Sequence, residues 1–422
     1  VIDVFNLGAV IASASPILPS RFSHMVVSGP VQCATCAHNY LVRIGIGSES
    51  YQEHSFDCVQ CTLPISLALR KVNGGGQIEV EENGRVLDEV TSDATVINLH
   101  GSFAFDAATI HDRMAFPSLL YMQVIHPHVR SASNKKFQDV ALLFDVPNTR
   151  GLWGMVRGAL RLEAAGSKED KVDRLVEHYQ RQRQKYLPDL RVSNTHDLVF
   201  NFFDSIFYPR FENLFNPIRT CLSSAERLNP EHHAHLVDYY RAELWPEVLQ
   251  QNLSLFTDYF RLFTEFSQML VHARLNDPAV AAKIVGSKHF ERTKLFYGQA
   301  FETLTAGFTI LACMNNILDG RQFDQFGDMT LKQYRRDVSK ARRKEAFRKR
   351  PELYALAEHG DSTLRNGSHH ASIWRDGELI GYRSGGTGER REMPYSQYLH
   401  LCNQLSIACA VQLVLGHEVA GR

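Results

Sequence analysis

"LFTDYFRLFTEFSQML", residues 255–270, decides the fold class of the larger part of this 422-residue chain. Phe256, Tyr259, Phe260, Phe263, Phe266 and Leu270 recur at steps of three and four, which stacks them on one face of a helix. "FYGQAFETLTAGFTIL", 296–311, repeats the pattern with Tyr297, Phe301, Leu304, Phe308 and Leu311. A third stripe, Leu401, Leu405, Ala408, Val411 and Leu415, follows Pro394, a residue suited to the first turn of a helix. Apolar faces of this kind are buried against one another, so the region from about Phe137 onward is predicted to form a helical bundle.

The chain before it has a different texture. Cys33 and Cys36 form one C-x-x-C pair and Cys58 and Cys61 a second, with 21 residues between Cys36 and Cys58. Two short turns that each offer two thiolates can close one tetrahedral centre, and the spacing is close to that of a zinc ribbon. A structural zinc ion would supply folding energy that so small a unit lacks. Residues 78–86 alternate around Asn83-Gly84 and read as a hairpin with Ile78, Val80 and Val86 inward. "ATVINLHGSFAF", 94–105, continues as strand, and "NGGGQ", 73–77, reads as a flexible joint between ribbon and hairpin. No phosphate-binding glycine loop, dinucleotide fingerprint, G-x-S-x-G or H-E-x-x-H occurs.

The 46 basic and 46 acidic side chains cancel, so any nucleic-acid-binding surface has to be local. One such concentration exists. Residues 332–350, "KQYRRDVSKARRKEAFRKR", hold ten Lys or Arg against two acids. On a helix, Arg335, Arg336, Lys340, Arg342, Arg343 and Lys344 would hold a polyanion by counterion release. A solvated helix face is the commoner role of such a run. Its position, fifteen residues before the next motif, favours RNA. The apolar content of 44% and the lack of any run of 18 apolar residues predict a protein with no membrane span. Cysteines paired for a metal, with Cys221, Cys313, Cys402 and Cys409 scattered in apolar helical context, predict a reducing, cytoplasmic setting. The histidines of "EHHAH" (His232, His233, His235) and "VIHPHVR" (His126, His128) read as surface features.

"STLRNGSHHASI", 362–373, gathers an arginine, an asparagine and two histidines ahead of a hairpin predicted at Asp376-Gly377. Histidine titrates near neutrality and can move protons; arginine offers a fixed fork of donors to phosphate oxygens. Arg365, Asn366 and His370 fit R-N-x-x-x-H, and in this helical setting the last 130 to 190 residues resemble the HEPN superfamily. The resemblance implies a helical bundle, metal-independent cleavage of RNA, and a homodimer, because the family joins two copies of the motif in one composite site. It assigns proton transfer to His370, phosphate stabilisation to Arg365, and orientation of either to Asn366.

Helical geometry leaves one alternative open. Arg365 and His370 are five apart, about 140° around a helix, whereas His369 at i+4 shares the face of Arg365. Asp361 either pairs with Arg365 or shapes a turn.

The expected architecture is α+β and multidomain. Residues 1–24 form an extension expected to be disordered, 25–66 a zinc ribbon, 67–135 a β-rich region, 136–235 a helical linking region and 236–422 the HEPN-like domain. The expected activity is 2′-OH attack on RNA giving 2′,3′-cyclic phosphate and 5′-OH ends, in anti-phage defence or as a regulated toxin. The N-terminal half would then meet a phage-derived trigger or an inhibitory partner. The alternative is a non-catalytic nucleic-acid-binding scaffold whose bundle only dimerises.

Overall fold

A computed structural model describes residues 26–47, 49–72, 75–128, 144–286, 289–370, 372–384 and 388–421. The extension expected at 1–24 lies outside them. The chain is mixed α+β, with strands gathered toward the N-terminus and long helices after them.

Seven strands open it: β1 (Val26–Cys33), β2 (Asn39–Gly45), β3 (Tyr51–Asp57), β4 (Pro64–Val72), β5 (Gly75–Glu82), β6 (Gly84–Val86) and β7 (Thr95–His100). They form two sheets, ordered β6-β1-β2-β7 and β3-β4-β5. Val31, Tyr40, Val42, Ile44, Ile97 and Leu99 of the first meet Phe56, Ile65, Leu67 and Leu69 of the second in one apolar core. Ribbon and β-rich region therefore share sheets and core, and the boundary expected at 66/67 falls inside β4. β2 and β7 pair in parallel, Tyr40 opposite Thr95, although some fifty residues separate them.

Asn83-Gly84 is not a hairpin turn. Asn83 takes the left-handed conformation (φ 58°), and the chain leaves one sheet for the other there: β5 pairs with β4 and β6 with β1. The hairpin lies earlier, where β4 and β5 pair up to Val72 and Gly75. Residues 73–74 of the expected joint are outside the described set, while Gly75–Gln77 belong to β5.

Thirteen described α-helices of seven or more residues follow: α1 (Pro117–Ile125), α2 (Thr149–Ala164), α3 (Glu169–Gln184), α4 (Thr195–Phe207), α5 (Arg210–Leu228), α6 (Pro230–Tyr239), α7 (Trp245–Arg261), α8 (Phe263–Leu275), α9 (Phe296–Ala306), α10 (Phe308–Leu318), α11 (Leu331–Asp337), α12 (Ser362–His369) and α13 (Tyr395–Ala420). Helix thus begins within the segment expected to be β-rich. One core runs from α2 to α13, so the stretches expected as linking region and terminal domain pack together.

The stripe at 255–270 is buried as its spacing requires, with Phe256, Tyr259 and Phe266 wholly covered. It spans two helices, however, because the chain departs from helix at Leu262 (φ −102°, ψ 19°). The second stripe is likewise divided at Gly307. A β-carbon there would lie 2.2 Å from Oε1 of Gln412, so any larger residue would have to push that amide aside.

Helix α13 is the hub, touching α4, α5, α7, α8 and α9. A one-faced stripe was expected, yet Cys402–His417 is buried all round and Leu401 is among the more exposed positions. Some of its buried polar side chains bond to neighbouring helices. Asn403 accepts from the Tyr259 hydroxyl (2.7 Å) and donates to the Phe266 carbonyl (2.9 Å), and Gln404 donates to the Ala273 carbonyl (3.1 Å). By length and hydropathy α13 could cross a membrane, but 94% of its most apolar window is buried within the protein.

After α12 come β8 (Ile373–Asp376), β9 (Leu379–Arg383) and β10 (Arg390–Pro394) as one antiparallel sheet. Asp376 opposes Leu379 and Gly377 has φ +57°, so the hairpin expected at Asp376-Gly377 is present.

Candidate functional site and metal centre

Two loops of matching construction carry the four cysteines. In the first, the Cys33 N–H donates to the His38 carbonyl (2.9 Å) and Ala37 has φ +59°. In the second, the Cys58 N–H donates to the Leu63 carbonyl (2.9 Å) and Thr62 has φ +59°. Each C-x-x-C is thereby curled so that both thiols leave on the same side. The four Sγ atoms lie within 4.8 Å of one another, with Cys33 to Cys61 at 3.7 Å and Cys36 to Cys58 at 3.5 Å. Tetrahedral zinc–thiolate geometry calls for sulfurs about 3.8 Å apart, so the donor set and spacing fit a structural zinc ion.

Sequence reasoning did not find Tyr40. Wholly buried, it donates its hydroxyl to Cys58 Sγ (3.1 Å) and accepts from the Val59 N–H (2.9 Å). Burial raises the Cys58 thiol, but Tyr40 and the N–H groups of Gln60 and Cys61 outweigh it and bring the thiol to about 6. The centre is thus prepared to hold a thiolate. The other four cysteines are buried in the helical core.

The second site is built on α12. Asp361 caps it, accepting from the Thr363 and Leu364 N–H groups (2.7 and 3.3 Å), so it is the turn residue and not the partner of Arg365. Arg365 instead reaches α9, donating from Nε to Glu302 Oε1 (2.6 Å), with Nη2 on the same oxygen. Its other terminal nitrogen donates to Asn366 Oδ1 (2.8 Å), and Asn366 in turn donates to Ser384 Oγ (3.4 Å). The guanidinium is therefore held on two sides.

His369 occupies the last turn of α12 and His370 is the residue that caps it, and both are exposed. His369 lies over α9 at Gly298, where a β-carbon would stand 3.0 Å from its ring. Beside it, buried Ser368 donates to the Lys294 carbonyl (2.6 Å) and accepts from the Gly298 N–H (3.3 Å). The turn of α12 that bears the histidines is thus fastened to α9.

Glu302 was not singled out in the sequence. Burial raises its carboxyl, but Lys340 and Arg365 more than offset this and hold it below the usual range. Lys340 Nζ donates to Oε2 (2.6 Å), so one carboxylate joins the motif to the basic segment.

That segment is not the single helix expected. α11 ends at Asp337, Val338 is extended (ψ 118°), and Lys340–Phe347 is a tighter 3-10 turn. The charges are also less available than a bare helix would make them. Arg336 pairs with Asp337 (2.7 Å), Arg335 donates to the Tyr239 hydroxyl (3.0 Å), and Arg343 donates to the Arg335 carbonyl (2.6 Å). Lys344 lies over the Tyr354 ring, 5.8 Å from its centre, while Arg342 is exposed. Lys332, Arg335, Arg336, Lys340 and Arg343 still line one groove, which Glu243 and Glu247 also border.

Of the histidines read as surface features, His233 is buried in α6 at 5% exposure, while His126 and His128 are exposed. Among the described residues, the four cysteines are the one group of three or more His, Cys, Asp or Glu whose ligand atoms converge as a metal would require.

No known family matches this chain, nor does any curated protein or solved structure.

Proposed function

We propose that the protein is a metal-independent endoribonuclease of the HEPN type. The observation that carries this reading is the arrangement on α12. Arg365 and Asn366 are bonded side by side, and His369 and His370 follow within one turn, exposed at the same helix end. In this reading a histidine takes the 2′-OH proton, and the freed oxygen attacks the adjacent phosphorus. A second histidine protonates the departing 5′-oxygen. Arg365 stabilises the charge that builds on the non-bridging oxygens, an effect of ~3 kcal/mol for one well-placed donor. The products are a 2′,3′-cyclic phosphate and a 5′-hydroxyl. A homodimer would bring two copies of the motif to one composite site.

We assign zinc to the four cysteines as a brace for the two sheets, with no part in cleavage. The groove containing Lys332 and Lys340 is the RNA path in this reading, because it adjoins Glu302 and hence the motif.

End-labelled RNA incubated with the protein in EDTA provides the test. Cleavage that persists in chelator, ends in cyclic phosphate and is lost in His369→Ala or His370→Ala supports the reading and identifies the working imidazole. RNA binding without cleavage in every form would replace it with the scaffold alternative.

A further inference from the structure

We infer that Glu302 occupies the seat of an RNA phosphate, so that Lys340 and Arg365 form a two-cation phosphate site which the protein closes with its own carboxylate. The anion's identity rests on the RNA reading above; the seat itself rests on geometry.

Three segments distant in sequence meet at this carboxylate. Arg365 of α12 takes Oε1 and Lys340 takes Oε2, each at 2.6 Å. A phosphodiester presents what a carboxylate presents, two oxygens sharing one negative charge, and the Nε–Nη2 edge of Arg365 that meets Oε1 here can receive an oxygen of either. Asn366 holds the opposite side of the guanidinium, so its donor edge keeps its aim if Glu302 moves away. One carboxylate against two cations leaves a net positive charge, which attracts a second anion.

The site can exchange without unfolding. The side chains of Lys340, Arg365 and Glu302 are 41%, 32% and 23% exposed, so solvent already reaches all three. Lys340 also borders the basic groove, whose Lys332, Arg335 and Arg336 could take neighbouring phosphates of the same strand. Between two cations and beside that groove, Glu302 acts as a gate: RNA gains the motif arginine by displacing it. A carboxylate that merely aimed Arg365 would have no need of Lys340.

The two roles separate in a binding experiment that requires no catalysis. A fluorescein-labelled 12-nucleotide 2′-O-methyl RNA, which lacks the attacking hydroxyl, is titrated against wild type, Glu302→Gln and Lys340→Met. If Glu302 is the competitor, Glu302→Gln binds roughly tenfold more tightly at low salt. Its salt dependence steepens by about 0.7 in log–log slope, one further phosphate neutralised on a single strand. Lys340→Met binds more weakly with a shallower slope, which keeps the inference testable if Glu302→Gln does not fold. Unchanged or weaker binding by folded Glu302→Gln, or unchanged binding by Lys340→Met, overturns it. Cleavage of unmodified RNA in EDTA is measured in parallel. Tighter binding by Glu302→Gln with no cleavage by any form upholds the seat and removes the nuclease. Wild-type cleavage without tighter binding does the reverse.

Discussion

His369 rests on Gly298 so closely that a β-carbon there would stand 3.0 Å from both Cδ2 and Nε2 of the imidazole. The position of this ring is therefore set by a helix some seventy residues earlier, whereas His370 lies beyond the helix end without that support.

This contact makes Gly298→Ala a selective probe. The added methyl obliges the His369 ring, or Ser368 beside it, to give way by a few tenths of an ångström. If His369 transfers the proton, cleavage falls by an order of magnitude or more while RNA affinity holds. If His370 does, the loss of activity is no greater than the loss of folded protein. Initial rates normalised to the folded fraction, taken from thermal melts, distinguish the two.

Metal removal should act on the β unit and not on the chemistry. We expect one zinc per chain by elemental analysis and none in Cys36→Ser/Cys58→Ser. Thiolate zinc sites contribute ~10 kcal/mol or more of binding free energy, so its loss should expose the strands to proteolysis. In the nuclease reading, RNA cleavage over minutes in EDTA should continue at the same rate, because the motif lies on α12, outside the sheets.

Acid should loosen the same unit for a separate reason. His54 is fully buried with both ring nitrogens unpartnered, and burial lowers it from 6.5 to about 4. Burial, with His54 nearby, takes His100 to about 3. Both titrate lower in the folded chain than in the unfolded one, so the unfolded chain takes up the proton first as pH falls. Their contribution is intact above about pH 6.5 and is lost progressively toward pH 4 and 3. His54→Leu should remove up to about 3 kcal/mol of that acid sensitivity. Denaturant melts of both proteins at pH 7 and pH 4.5 measure it, and a difference that does not change with pH would contradict it.

In the bundle, Asn403 is the polar group most exposed to test. Asn403→Ala leaves the buried Tyr259 hydroxyl without its partner and removes the second hydrogen bond on the Phe266 carbonyl. A cost of about 1–3 kcal/mol is expected, visible as a lowered unfolding midpoint.

What could be read in the sequence was what neighbours in sequence decide. The cysteine knuckles, the turn at Gly377 and the burial of Phe256, Tyr259 and Phe266 depend on spacings of a few residues. The breaks at Leu262 and Gly307 escaped notice because a 3.6-residue stripe can continue in phase across them. Asn83-Gly84 has hairpin chemistry, but its left-handed turn is used to change sheets, a choice made by the pairing of β6 with β1. The candidate site was legible only in its local half. Arg365, Asn366 and the histidines are contiguous, whereas Glu302 lies 63 residues from Arg365 and 38 from Lys340, and no local pattern connects them.

The hub position of α13 has a consequence for the order of events during synthesis. Helices α4, α5, α7, α8 and α9 all leave the ribosome before Tyr395–Ala420 does, and their inner faces wait for it. Until those 26 residues emerge, α9 lacks the helix against which it packs most extensively. A nascent chain carrying Arg365 and its histidines therefore lacks the helix on which the bundle closes until α13 has been made. In the nuclease reading proposed above, the motif would gain its supports only when that helix docks.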